Sequence, residues 1–402
     1  MARGWPVVVR SLPHRGMCIA PLSASQPWGY VRHTMRNIFT RSRLNPVLAP
    51  GDGPWWKLYN PGAAVDDQGR VHLFPRMMKR EKDWHSRIGH AVSMDGEHFE
   101  WDRDPMLVRQ NRREVRGLED PRITRIEGRY FMTFTTYDGL RATLHSAYAD
   151  DLNGPWHRQG PMVPKFDFFG SGGRMVHWER GRPVEQTTAP PRRFWQRRYH
   201  WSKSGALFSE RIGGRYFLLF GEFYAWIATS SDGVTYTVEQ QPLLEPRKGT
   251  PFFDNTFIEV GPPPLLTEKG WLVLYHGIDE AFRYRLGFVL LDRNDLRRVI
   301  YRSAEPVFGP EADYEVADAP IDVLTGGIPA MSSQSDAELK AAYEKARTDN
   351  VMPQVTFCPG AVVRNGQLWI YYGAGDTAIC TAWASLDELV ALTGPATLSA
   401  SR

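Results

Sequence analysis

The stretch Gly117-Leu118-Glu119-Asp120-Pro121-Arg122 sets two adjacent carboxylates beside a proline, with Arg116 and Arg122 flanking them. A carboxylate held in fixed geometry near guanidinium groups suits general acid or base work. Proline restricts the residue before it to extended backbone. Asp120 is therefore expected at the mouth of a strand, aimed by the chain itself. The apolar residues Ile123, Tyr130, Met132 and Phe134 that follow alternate as a half-buried strand pair would. The plain alternative for so short a motif is a solvated turn with a salt bridge.

A repeated unit supplies the elements that would position such groups. An aromatic-rich strand follows a glycine-containing turn five times. The turns are Asp66-Asp67-Gln68-Gly69, Glu127-Gly128, Gly213-Gly214, Lys269-Gly270 and Asn365-Gly366. The strands begin at Val71, Tyr130, Tyr216, Trp271 and Leu368. Five such antiparallel units, spaced near the ~40–50 residues of a propeller blade plus insertions, predict an all-β fold, a five-bladed β-propeller. A β-sandwich with chance similarity is the competing reading. Residues 1–44 are basic and irregular and read as an N-terminal arm; residues 45–402 form the propeller domain. Two insertions interrupt it, at about 166–200 and 316–350. The first reads as a long loop, the second as holding a short helix over 335–348.

Composition narrows the function. Lysine and arginine number 49 against 45 acidic residues, a net charge of +4 that does not call for nucleic acid. The 14 Trp, 16 Tyr and 20 Phe, with 36 Gly and 30 Pro, fit short strands, tight turns and faces on which sugars stack. Cys18, Cys358 and Cys380 make no metal spacing and no disulfide framework. No metal or other cofactor is expected, nor is a membrane partner. The apolar run near Trp5 is too short for a signal peptide, so a cytoplasmic protein is expected.

In each blade the first strand starts, and the second ends, on one face of the disc. Residues at those positions should converge on the axis. Before the first strands stand Asn60, Glu119 with Asp120, Lys203 with Ser204, Glu259 and Pro359. After the second strands stand Arg76, Tyr137 with Asp138, Glu222, His276 with Asp279, and Asp376. Nearly every slot is polar or ionisable, which predicts a functional funnel. Clustered carboxylates with arginine and aromatics suit glycoside cleavage, where one carboxyl protonates the leaving oxygen and a second group activates the nucleophile. Crowding should raise the pKa of one carboxyl and so supply the acid. His276 lacks a histidine partner at metal spacing and is expected to hydrogen-bond.

The motifs Asn45-Pro46-Val47-Leu48, Asn60-Pro61-Gly62-Ala63, Ser86-Arg87-Ile88-Gly89, Leu118-Glu119-Asp120-Pro121-Arg122, Gly261-Pro262-Pro263-Pro264, Tyr275-His276-Gly277 and Tyr371-Tyr372-Gly373-Ala374-Gly375-Asp376 together resemble glycoside hydrolase family 130. These are the five-bladed β-mannoside phosphorylases and mannosidases. The resemblance implies action on β-mannosides with inversion. It makes Asp120 the general acid, and Asn60, Arg87, Asp138 and Asp376 the grip on mannose. Ser86 lies within a matching motif, and Arg76, Glu119, Tyr137, Arg141, Lys203, His276 and Asp279 complete the expected oligosaccharide site.

Phosphorylases of this family carry a His-Arg-Pro after the second strand of the third blade, where this chain reads Phe220-Gly221-Glu222-Phe223. A second carboxylate, Glu259, stands before Gly261. Anions placed there repel phosphate and can take a proton from water, as in the hydrolytic branch that cleaves β-1,2-linked mannosides. The expectation is an inverting hydrolase, with Asp120 as acid and Glu222 or Glu259 as base. Arg141 and Lys203 keep open a phosphorylase that uses inorganic phosphate as co-substrate and makes mannose 1-phosphate. A non-catalytic sugar-binding propeller is the third reading. A homo-oligomer is compatible with the sequence.

Overall fold

The computed structural model describes residues 37–50, 55–79, 85–179, 182–189, 199–249, 251–316 and 354–394. Among them, antiparallel sheets form the five blades expected, arranged as a β-propeller. The innermost strands are Trp55–Val65, Gly117–Ile126, Ala206–Leu207, Phe257–Val260 and Thr356–Arg364. Each pairs outward with a second strand: Val71–Lys79, Arg129–Tyr137, Tyr216–Phe220, Gly270–Ile278 and Gln367–Ala374.

The turns follow their residues. Glu127 and Gly128 take φ of 51° and 85°, and Asn365 and Gly366 take 49° and 73°. Two successive left-handed residues make the tight hairpin turn whose twist matches the flanking strands. The aromatic excess is spent between blades. Phe166, Phe168, Tyr199, Trp201, Phe220, Phe223 and Trp226 share one buried cluster with Leu144 and Leu218.

Ring closure corrects the expected boundary of the arm. Thr40–Arg41 pairs with Trp383 and Ala382 and so forms the outer strand of the last blade. Arg41 grips buried Glu315 through Nε and Nη2 at 2.9 and 2.8 Å, and the Tyr372 hydroxyl donates to the same carboxylate at 2.5 Å. Asn45, expected to open the first unit, instead clips to the fifth. Its amide donates to the Thr381 carbonyl at 2.9 Å and its oxygen accepts from the Thr381 N–H at 2.8 Å.

The first insertion is not simply a loop. It folds into a hairpin, Met175–Glu179 against Arg182–Gln186. The helix expected over 335–348 lies outside the described residues, as does Cys18. Cys358 and Cys380 are buried free thiols. No helix among the described residues is long and apolar enough to cross a membrane.

Candidate active site

Backbone irregularity aims the central side chains. The first two innermost strands break register between Tyr59 and Gly62 and between Glu119 and Arg122. At these bulges Asn60 and Asp120 are left-handed, with φ of 46° and 49°, and Ser204 follows suit at 52° in the third blade. A bulge re-aims a side chain at the expense of ladder bonds. Each non-glycine residue held there carries about 1–3 kcal/mol of strain. Asp120 was expected extended at a strand mouth. It is instead left-handed, inside the strand Gly117–Ile126. The proline constraint removes the right-handed helical choice, and the bulge selects the left-handed one.

Around Asp120 the polar groups interlock. Asp120 Oδ1 accepts from the Asn60 amide at 3.0 Å and from Arg76 Nη1 at 3.2 Å. Arg76 Nη2 donates to Glu119 at 2.7 Å, and its Nε to the Ser86 hydroxyl at 2.8 Å. Burial alone would raise the Asp120 carboxyl. Arg76, Lys203 and the Asn60 bond outweigh it and hold that carboxyl below its ordinary value. Glu119 moves the other way, raised by burial against the pull of Arg76 and Lys203. Arg122 is not a sugar group: fully buried, it donates to the carbonyls of Gly261 and Val260 at 2.7 Å each and of Asp120 at 2.9 Å. It ties the second blade to the fourth.

The opposite side holds the two glutamates. At Gly221 the chain leaves the third blade with φ of 135°, where a Cβ would run into the Tyr224 carbonyl. Glu222 and Phe223 then pair with the fourth blade, and Glu222 stands directly opposite Glu259. Glu222 Oε2 accepts from the Trp201 indole at 2.9 Å. Lys203 Nζ lies 3.8 Å from Glu222 and 4.0 Å from Glu119, so one ammonium bridges both carboxylates. Ser204 hydrogen-bonds to Glu259. Burial, then the Glu222 charge, pushes Glu259 up to about 8. Burial first, and the neighbouring charge second, therefore raise a carboxyl at Glu259 and not at Asp120.

The other expected residues divide. Asp376, left-handed at φ 49°, belongs to the centre: burial raises its carboxyl against the pull of Lys57 and Arg76. Tyr137 meets Trp201 edge-on at 6.1 Å between ring centroids. Asp138 binds Arg141 at 2.7 Å, with the Arg141 side chain exposed. Arg87 donates to the His85 carbonyl at 3.1 Å and lies over the Trp55 ring.

Two expected substrate residues sit in the wall instead. His276 is fully buried and stacks on Phe357 with centroids 4.4 Å apart. Its Nε2 accepts from the Cys358 amide at 2.8 Å, and burial keeps it neutral by pushing it down to about 3. Asp279 is taken up by Arg283 and Arg285, at 2.6 and 2.5 Å. In both cases the local fold already engages the side chain, although His276 Nδ1 keeps no hydrogen-bond partner among the described residues.

Three further groups lie near these side chains without having been among the expected residues. Lys57 is buried beside the Tyr59 ring, and burial lowers it to about 8 although Asp376 opposes the shift. Its signal was a lone charge within the apolar strand Trp55–Val65. Trp201 was hidden at the end of an insertion. Tyr284 is buried and stays un-ionised, first through burial and then through Glu259, Glu222, Asp376 and Asp120. Arg76 between Glu119 and Asp120, and Lys203 between Glu119 and Glu222, join those three carboxylates in one polar network. Among the described residues no cluster is arranged to hold a metal ion.

A five-bladed propeller that gathers several carboxyl groups into one polar centre has the groups that glycoside cleavage uses. The family model described as beta-1,4-mannooligosaccharide phosphorylase, of glycoside hydrolase family 130, matches residues 54–327. The chain belongs to this family of mannoside-active enzymes. A β-1,2-mannobiose phosphorylase of Thermoanaerobacter sp. (strain X514) is 31% identical over 361 residues, 85% of this chain and 96% of its own. A 1,2-β-oligomannan phosphorylase of the same organism is 28% identical over 86% of this chain and 96% of its own. A solved structure has the description "The GH130 family of mannoside phosphorylases contains glycoside hydrolases that target beta-1,2 mannosidic linkages in Candida mannan". It shares 25% identity, covers 89% of this chain and 96% of its own, and superposes with a TM-score of 0.66. The curated names back phosphorolysis, the second expectation, more than hydrolysis.

Proposed function

We propose that this chain cleaves β-mannosides with inversion, and that water is the nucleophile. The observation carrying the choice of water is the direct opposition of Glu222 and Glu259. Phosphate at neutral pH is a multiply charged anion and needs uncommitted cations. Arg76 is already engaged by Glu119 and Asp120, and Lys203 lies between Glu119 and Glu222. An anion entering here would meet carboxylates at close range, in surroundings that strengthen the repulsion.

Glu222 takes the proton of a water whose oxygen attacks the anomeric carbon. The bond from that carbon to the leaving oxygen breaks, and Asp120 protonates the oxygen. Asp120 is ionised in the free enzyme and gains its proton when a neutral sugar displaces water around it, which favours the uncharged form. By the family resemblance, Asn60, Arg87, Asp138 and Asp376 hold the sugar. Family resemblance and the relatives' names support a β-1,2-linked manno-oligosaccharide as substrate.

Phosphorolysis is the second reading, supported by the names of the curated relatives and by Lys203 beside Glu222. It keeps Asp120 as acid and yields mannose 1-phosphate. Turnover of β-1,2-mannobiose with and without inorganic phosphate separates the two. The expected product is mannose at a rate indifferent to phosphate; strict dependence on phosphate would remove water as the nucleophile.

A further inference from the structure

Successive side chains along a strand point to opposite faces, yet Glu119 and Asp120 both reach one guanidinium, that of Arg76. The bulge at Asp120 brings the two carboxyls to the same side. What aims the arginine at them lies in the first blade. A guanidinium carries its donors in a rigid planar fork, so fixing its Nε fixes the direction of both Nη groups. Arg76 Nε donates to Ser86 Oγ at 2.8 Å. Its Cζ lies over the Tyr59 ring, 4.9 Å from the centroid, and the Tyr59 hydroxyl is itself anchored on the Met78 sulfur at 3.0 Å.

Ser86 opens a short segment wedged between two blades. On one side, Arg87–Ile88 pairs antiparallel with Met77 and Arg76 of the first blade. On the other, Ser86 bridges in parallel to Gly117, where the inner strand of the second blade begins. The Ser86 N–H donates to the Arg116 carbonyl at 2.9 Å, and its carbonyl accepts from the Leu118 N–H at 3.1 Å. Gly117 permits this approach: its φ is 93°, and a Cβ there would run into the Ser86 carbonyl. Ser86 is only 1% exposed. Its hydroxyl is closed off from a sugar in the funnel and serves the arginine.

We propose that Ser86 is a positioning residue: it locks the Arg76 fork that holds Glu119 and Asp120 together, and so aims the acid at the leaving oxygen. This rests on Asp120 as the proton donor, a role that hydrolysis and phosphorolysis share. The arginine comes from the first blade and the two carboxyls from the second. The backbone of Ser86 registers these blades against each other, and its side chain registers their charged groups. Removing the hydroxyl leaves the backbone bonds in place and frees the fork to turn.

The test is a double-mutant cycle of Ser86→Ala and Arg76→Lys. Lysine keeps the charge but has no Nε–H for Ser86 to hold. In the parent background Ser86→Ala should lower kcat about tenfold through misplacement of the acid, with KM nearly unchanged. In the Arg76→Lys background the same change should cost less than about twofold, because the residues act as one unit. A second readout needs no turnover. Proton NMR of arginine-labelled protein, assigned with Arg76→Lys, should show the Arg76 Nε–H exchanging with solvent about tenfold faster in Ser86→Ala, as for one lost bond to a charged donor. If the parent turns nothing over while this exchange still quickens, Asp120 as acid falls and the lock on Arg76 stands. Equal losses of kcat in the two backgrounds, or a raised KM with kcat kept, would overturn the proposal. So would a folded Ser86→Ala protein whose Arg76 Nε–H exchanges as in the parent.

Discussion

Replacing Glu259 by glutamine probes the electrostatics of the centre without any substrate. In the folded protein this carboxyl is held up to about 8, against an ordinary 4.5. Burial disfavours its charge first, and Glu222 disfavours it further. Between these values the folded chain keeps a proton that the unfolded chain has already released. Stability then falls as pH rises, by about 1.4 kcal/mol per unit, and the loss ends once pH passes the folded value. From about pH 6 to about pH 8 the parent should lose about 2 kcal/mol on this account, the slope easing as the folded value is reached. Glutamine has no proton to release and escapes the loss. Lys57, lowered to about 8 from 10.5, changes stability with the opposite sign only above this window, between those two values, and does so in both proteins, so it cancels in the difference. Urea unfolding across this range should show the variant gaining on the parent by that amount. A stability difference that stays flat with pH would mean that Glu259 is ionised throughout, and its raised value would be wrong.

Asp120→Asn should lower kcat by about 10²–10⁴, the usual contribution of a positioned acid, while calorimetry still detects bound mannose. Full activity in this variant would move the acid elsewhere, and an inactive parent would favour a sugar-binding propeller. Arg122→Met leaves three carbonyls without their buried donor. At about 1–3 kcal/mol for each orphaned group the variant should lose at least about 3 kcal/mol in denaturant unfolding. Parent-like stability would show that the second and fourth blades are not held together through this guanidinium.

Much of the architecture was legible because it rests on local rules. Alternating apolar residues and paired turn residues such as Glu127-Gly128 and Asn365-Gly366 act within a few positions of themselves. Their fivefold recurrence carried the propeller, and the start and end positions of its strands picked out Asn60, Arg76, Asp120, Glu222, Glu259 and Asp376. Other features were not legible. The arm's Thr40–Arg41 joins the last blade more than 300 residues away, and no local pattern encodes such a partner. His276 and Asp279 occupied the expected slots, yet Cys358 and the two arginines claim them. A slot in a repeat says where a side chain begins, not which neighbour reaches it first.

By itself the sequence determined the kind of molecule: the sheet units, their number and the acidic character of their common end. These follow from residue type and spacing. The tertiary structure alone decided how charge is shared there. Whether a carboxyl keeps its proton depends on burial and on groups from other blades, such as Arg76 against Asp120, or Ser204 against Glu259. Those contacts join residues up to 55 positions apart, and through-space electrostatics has no counterpart in spacing along the chain.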